Sequence, residues 1–166
     1  MARFDEFKSA NEQYAASFDK GDLPTPPARN VAVVTCMDAR LHPEKFLGLE
    51  MGDAHVIRNA GGRVSEDAIR SLVISERLLG TNEIVVLHHT DCGMLTFKNE
   101  DLVAKIKEDL GADASGWDFL TFADLEQSVR DDVETLSASD LIPDDVSIAG
   151  AIYDVETGEL REVVRS

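Results

Sequence analysis

Basic side chains are scarce in this sequence. Sixteen Lys and Arg stand against 32 Asp and Glu, a formal charge of −16 over 166 residues. A field of that sign repels phosphate backbones and anionic lipid, which excludes nucleic acid and a charged membrane surface as partners. It also gives no long-range attraction to an anionic substrate, so a small neutral substrate is expected. No apolar run approaches the roughly 20 residues of a membrane-spanning helix. The start, Met1 to Lys8, lacks the apolar stretch of a signal peptide, and a cytoplasmic location is expected. Cysteine is limited to Cys36 and Cys92. In a reducing compartment a structural disulfide between them is not expected. Two thiols that follow apolar runs, in the company of acid and histidine, point to metal binding instead. Aromatic residues make up only 6% of the chain, but the apolar fraction of 43% is ordinary and suits one compact domain with a real core.

What the chain does have is alternation. Residues 3 to 19 carry Phe4, Phe7, Tyr14 and Phe18 at roughly helical spacing, and Lys20-Gly21-Asp22 ends the run. Val31 to Thr35, Ala54 to Arg58, Glu83 to His88 and Val146 to Tyr153 read as strands, short and rich in β-branched residues. Between them lie a short turn from Pro43 to Leu47, a helix from Ser65 to Leu79 with Gly80 beyond it, and helices over Asp101 to Leu110 and Phe122 to Leu136. After the turn at Val155 to Glu159, Leu160 to Val164 reads as an antiparallel edge strand. The expectation is a single α/β domain over residues 1–166. It has a mostly parallel central sheet, an antiparallel edge strand and helices on both faces. Residues 1–27 form an N-terminal helical arm and linker, and residues 28–166 the core. An arm bearing three phenylalanines must lie on something, its own domain or a partner subunit.

The chemistry gathers at two strand ends. Val31 to Thr35 runs into Cys36, Asp38 and Arg40, and Glu83 to His88 runs into His89, Asp91 and Cys92. Ligands of open α/β sheets bind at that edge. If the two strands are neighbours, Cys36, His89 and Cys92 form a set of two thiolates and one imidazole. Sulfur with nitrogen selects zinc, and three protein ligands leave a fourth position open, as catalytic sites do. Asp38 and Arg40, two apart on one loop, can pair so that the carboxylate stays ionised and aimed at a zinc-bound water. Asp38 can alternatively take the open zinc position itself. The x-x-Cys spacing favours His89 over His88 as ligand, leaving His88 a hydrogen-bonded strand-end residue. His42 and His55 read as surface residues. Leu41, Ala60, Gly61, Gly62, Gly93 and Met94 fall near the same strand ends and are apolar or lack a side chain. They suit a pocket for a small uncharged molecule.

Cys36-x-Asp38-x-Arg40 and His89-x-x-Cys92 resemble the motifs of the β-class carbonic anhydrases, and Arg58-Asn59-Ala60-Gly61 and Asp91-Cys92-Gly93-Met94 add to the likeness. It covers residues 28 to 97 strongly and the rest loosely. The resemblance implies a parallel-sheet α/β fold, dimers or multiples of dimers, one Zn2+ per chain on Cys36, His89 and Cys92, and Asp38 with Arg40 as catalytic dyad. It implies reversible hydration of CO2 to bicarbonate by a zinc-bound hydroxide. The compact branch is also similar to carbonyl sulfide hydrolases, so hydrolysis of COS is the alternative. A non-catalytic zinc-binding module is a third reading. Some family members have an inhibitory bicarbonate site built on Trp and Gly where this chain has Val33 and Thr35, so that site is not expected.

Overall fold

In the computed structural model, which describes residues 2–166, five strands form one sheet. Strands β1 (Val31–Cys36), β2 (Ala54–Asn59), β3 (Glu83–His89) and β4 (Ser147–Tyr153) run parallel, and β5 (Leu160–Arg165) returns antiparallel beside β4. The order is β2-β1-β3-β4-β5. The two strands that end in candidate ligands are therefore neighbours at the centre, in a register that pairs Thr35 with Leu87. Central parallel strands are buried on both faces, which is why β1 and β3 are nearly unbroken apolar runs.

Helices α3 (Glu66–Leu79) and α5 (Leu125–Ser137) lie on one face. Leu72, Val133 and Leu136 close over Ala32, Val34, Ile84, Val86 and Ile148 there. Ser65 caps α3 by accepting from the Ala68 N–H at 3.2 Å, and Gly80, at φ +77°, ends it. The other face is more thinly covered. The short α2 (Pro43–Phe46) brings Phe46 and Leu47 against Val33, Leu87 and Ala151, and Phe46 stacks on Tyr153 with ring centroids 4.1 Å apart. Helix α4 (Asn99–Leu110) has no fully buried residue.

Three sequence expectations shift. Helix α1 spans Arg3–Ala16, not residues 3 to 19, because Ser17, Phe18 and Asp19 are poor helix formers and stay exposed, Phe18 touching only the neighbouring turn through Tyr14, with ring centroids 5.4 Å apart. Helix α5 starts at Leu125 because Asp124 caps it, accepting from the Gln127 N–H at 2.9 Å. Phe122, which mimicked the helical period, instead stacks on His88. His55 is half-buried, its Nδ1 2.6 Å from Ser75 Oγ.

Helix α5 reaches the sheet closely because β4 has no side chain at Gly150. A Cβ there would lie 2.6 Å from Val129 Cγ1 and 2.9 Å from methyls of Val133 and Val164. These are stiff β-branched groups that cannot swing away. Gly150→Ala is expected to destabilise the fold by about 1–3 kcal/mol through overpacking. Urea unfolding checks this, and an unchanged midpoint would show that α5 has room to retreat.

Candidate metal centre

The sheet delivers Cys36 at the end of β1 and His89 at the end of β3, and the following loop folds Cys92 back between them. One ligand atom from each lies within 4.8 Å of the others, and all three residues are buried. The His89 ring is oriented by its own backbone: Nδ1 sits 2.8 Å from the Thr90 carbonyl oxygen. A carbonyl only accepts, so Nδ1 carries a hydrogen and Nε2 is the ring nitrogen left to face the sulfurs. That Nε2 is buried without a hydrogen-bond partner among the described residues. An unpaired buried acceptor is costly, and one facing two sulfurs is what a metal ligand looks like before its metal. The donors fit a metal ion.

Proton affinities tell the same story for the metal-free chain. Hydrogen bonding with Cys92 is the main force that lowers the Cys36 thiol to about 4, against its burial, and His89 and the backbone N–H groups of Asp38 and Gly61 assist. Cys92 is pushed up, because it donates to that thiolate and is itself buried. Burial works against a charge on His89, but the Cys36 thiolate, the Thr90 carbonyl and Asp38 together raise its proton affinity. The surroundings that draw a proton there would draw a metal cation as well.

Asp38 and Arg40 meet in a bidentate pair. Arg40 Nε donates to Oδ1 at 3.0 Å and Nη2 to Oδ2 at 2.8 Å, while the Arg40 backbone N–H adds a bond to Oδ1 at 2.9 Å. The guanidinium holds the Asp38 carboxyl well below the usual carboxylate range despite partial burial. Asp38 Oδ2 stands 3.8 Å from His89 Nε2, beside the donor set.

Arg40 has a second partner that sequence reasoning missed. Its Nη1 donates to Asp91 Oδ2 at 2.7 Å and its Nη2 to the Asp91 carbonyl at 2.9 Å. One guanidinium thus ties the loop after β1 to the loop after β3. Asp91, at φ +53°, takes a backbone conformation that few non-glycine residues adopt. Arg58, noted only as part of a motif, anchors the first loop by donating to the carbonyls of Cys36 at 2.9 Å and Asp38 at 2.7 Å.

The expected pocket residues separate into three groups. Leu41 and Met94 are buried in one apolar cluster with both cysteines, flanked by Phe46, Phe97, Phe122 and Tyr153. Gly61 and Gly62 are buried behind Cys36, where a Cβ on Gly62 would stand 2.9 Å from the Cys36 backbone nitrogen. Ala60 and Gly93 are exposed. His88 is a fully buried, hydrogen-bonded strand-end residue and does not join the donor set.

Comparison with known proteins agrees with this geometry. A family model described as carbonic anhydrase matches residues 31–160. The chain is 45% identical over 163 residues to Beta-carbonic anhydrase 1 of Mycobacterium tuberculosis, covering 98% of this chain and 99% of that protein. It is 38% identical over 183 residues to a carbon disulfide hydrolase of Saccharolobus solfataricus, covering 95% of this chain and 87% of that protein. Among solved structures, carbonic anhydrase from Streptococcus mutans superposes with a TM-score of 0.95 at 57% identity, covering 99% of each chain.

The Asp38–Arg40 pair gives a pH-dependent expectation. A carboxyl with a depressed folded-state pKa contributes stability that is present above its unfolded value, about 3.9, and is lost as pH falls through the folded value. The gap in urea midpoint between the wild type and Arg40→Ala, both metal-free, should be widest above about pH 5 and narrow progressively as pH falls below about 4 toward the depressed Asp38 value. A gap that stays constant over that range would mean that Arg40 does not act through the Asp38 charge.

Proposed function

The chain belongs to the β-carbonic anhydrase family, and from that premise we propose that it catalyses the reversible hydration of CO2 to bicarbonate on one zinc ion held by Cys36, His89 and Cys92. The observation that carries this reading is the bare, buried Nε2 of His89 facing two cysteine sulfurs beside an Arg-clamped carboxylate. Two sulfurs and an imidazole nitrogen select zinc among common metals. When bound, zinc supplies Lewis acidity that lets water ionise near neutral pH.

The chain's residues divide the remaining work. Thr90, through its carbonyl, keeps His89 in the tautomer that presents Nε2. Asp38 accepts a hydrogen bond from the attacking water and so aims its lone pair at the substrate carbon. With its proton affinity held so low, Asp38 is an orienting acceptor that hands a proton on to solvent rather than storing it. Arg40 occupies both Asp38 oxygens, so moving Asp38 onto the metal requires breaking that grip. Leu41, Met94 and the Ala60-Gly61-Gly62 turn offer a neutral molecule an apolar wall, and the Gly93 N–H is available to a developing oxyanion.

The relatives named carbon disulfide hydrolase favour a second reading, hydrolysis of a sulfur analogue such as COS. COS, like CO2, is linear, neutral and electrophilic at carbon. The assembly is at least a dimer, with α1 lying on the partner. On its own chain α1 covers nothing, and Phe4 and Phe7 are 69% and 65% exposed. The Val33 face of the sheet also leaves Val31, Val56 and Val85 only half-buried. Burying each phenylalanine is worth about 1.5–3 kcal/mol.

Purified protein should carry about one zinc per chain, and Cys36→Ser and Cys92→Ser should each lose it. Asp38→Asn should keep its zinc while CO2 hydration falls about 10²-fold or more. Wild-type turnover in Asp38→Asn would demote the pair to a loop ion pair, and turnover of COS with no CO2 hydration would replace the first reading by the second. Sedimentation at micromolar concentration should show a dimer or larger species, and a well-folded monomer would contradict the role given to the arm.

A further inference from the structure

The mechanism leaves a buried cluster of charged residues on α5 and the Gly61-Gly62 turn unused. Asp132, on α5, is 3% exposed and is surrounded by donors. Its Oδ1 accepts from Arg63 Nη2 at 2.9 Å. Its Oδ2 accepts from Arg63 Nε at 2.8 Å, from the Val64 N–H at 3.2 Å and from His88 Nε2 at 3.1 Å. His88 Nε2 also lies 3.1 Å from the Gly62 carbonyl oxygen. Both of its neighbours are acceptors, so Nε2 carries the hydrogen and is shared between them. Nδ1 of the same ring pairs with Ser128 Oγ, again on α5, at 2.7 Å. Arg63 reaches on to the Leu120 carbonyl at 2.9 Å, and its backbone is gripped by both ends of the Asn59 amide, at 2.8 and 2.7 Å.

These bonds converge on residues 62 to 64. The residue before them, Gly61, is buried against Met94, where an added Cβ would stand 2.9 Å from Met94 Cγ. Gly62, at φ +68°, is packed so tightly that an added Cβ would stand 2.9 Å from the Cys36 nitrogen and 3.0 Å from the Leu87 oxygen. The turn is therefore pressed onto the backbone that carries one ligand, while His88 is covalently joined to another. An isolated buried ion pair is weak support for stability, since apolar residues of equal size often serve as well. This pair has a further task that apolar residues cannot perform, because only donors and acceptors can set the height and tilt of a backbone turn.

We infer that Asp132 is a positioning residue for the metal centre. Through Arg63 and His88 it fixes the Gly61-Gly62 turn that packs against the Cys36 backbone, and it braces the strand end that presents His89. The inference rests on the proposed zinc site. Groups that orient metal ligands from behind typically change affinity 10- to 100-fold when altered.

The test is zinc affinity, measured by competition with a chromophoric chelator on the zinc-loaded, full-length protein. Asp132→Asn keeps the shape of the side chain and removes its charge. It should weaken zinc binding by about 10- to 100-fold. Val133→Ala, next on the same helix but facing the apolar core, serves as a control that lowers stability without touching the turn. It should shift the urea midpoint and leave zinc affinity within about twofold, well below the tenfold effect expected of an orienting group. Should Asp132→Asn fail to fold, Arg63→Lys keeps the charge but lacks the fork that grips Asp132 and Leu120 together, and it should show the same loss. Zinc affinity within about twofold of wild type in the charge or fork variant, or an equal loss in Val133→Ala, would overturn the inference. A wild type that binds no zinc would bring down the proposed function and this inference together. A zinc-binding wild type with an unaltered Asp132→Asn would bring down this inference alone.

Discussion

Three soft donors have to be held together in a dry site before any metal compensates for the arrangement, and the rest of the structure serves that constraint. Cys36 and His89 end two strands that lie 52 residues apart at the paired positions Thr35 and Leu87, and Cys92 follows in the loop after the second. Only a parallel sheet with β1 and β3 adjacent brings their ends together without a long loop. The lone pair on His89 Nε2 and the thiolate on Cys36 are both unfavourable in an apolar interior. Backbone groups lessen that cost: the Thr90 carbonyl fixes the ring, and the nearby backbone of Asp38 and Gly61 favours the Cys36 thiolate. The glycines at 61 and 62 make this possible, since each adopts a positive φ and a side chain on either would collide with the site.

The electrostatics fit a neutral substrate. Arg40 is one of two guanidiniums beside the donors, Arg58 being the other, and it is shared by Asp38 and Asp91. With both carboxylates satisfied, it has little attraction left for an incoming anion. The chain as a whole carries −16, which repels anions at long range. Phe46, Phe122, Leu41 and Met94 make the nearby wall apolar, which suits a small molecule held by contact and not by charge.

Much of the site was legible in the sequence because its members follow apolar runs directly. Cys36 and His89 end strands that periodicity alone identifies, and Asp38 and Arg40 are near enough in sequence to be seen as a pair. Asp91 was not legible as Arg40's second partner, since an exposed acid looks like any other among 32. Asp132 and Arg63 lie 69 residues apart, and Asp132 sits in a helix already rich in acids, so only the fold reveals the buried pair. Phe122 misled because an aromatic residue at helical spacing can belong to the loop before a helix, and the cap at Asp124 is a side-chain event that periodicity does not register. The arm was legible as a helix but not in its end, because a helix with no buried face stops where propensity falls.

The central claim is the identity of the three ligand atoms. Zinc K-edge X-ray absorption on the zinc-loaded protein reads that set directly. The account predicts two sulfur scatterers at about 2.3 Å and one imidazole nitrogen at about 2.0–2.1 Å, with the remaining coordination supplied by a light atom. A first shell with no sulfur, or with a single sulfur, would contradict it.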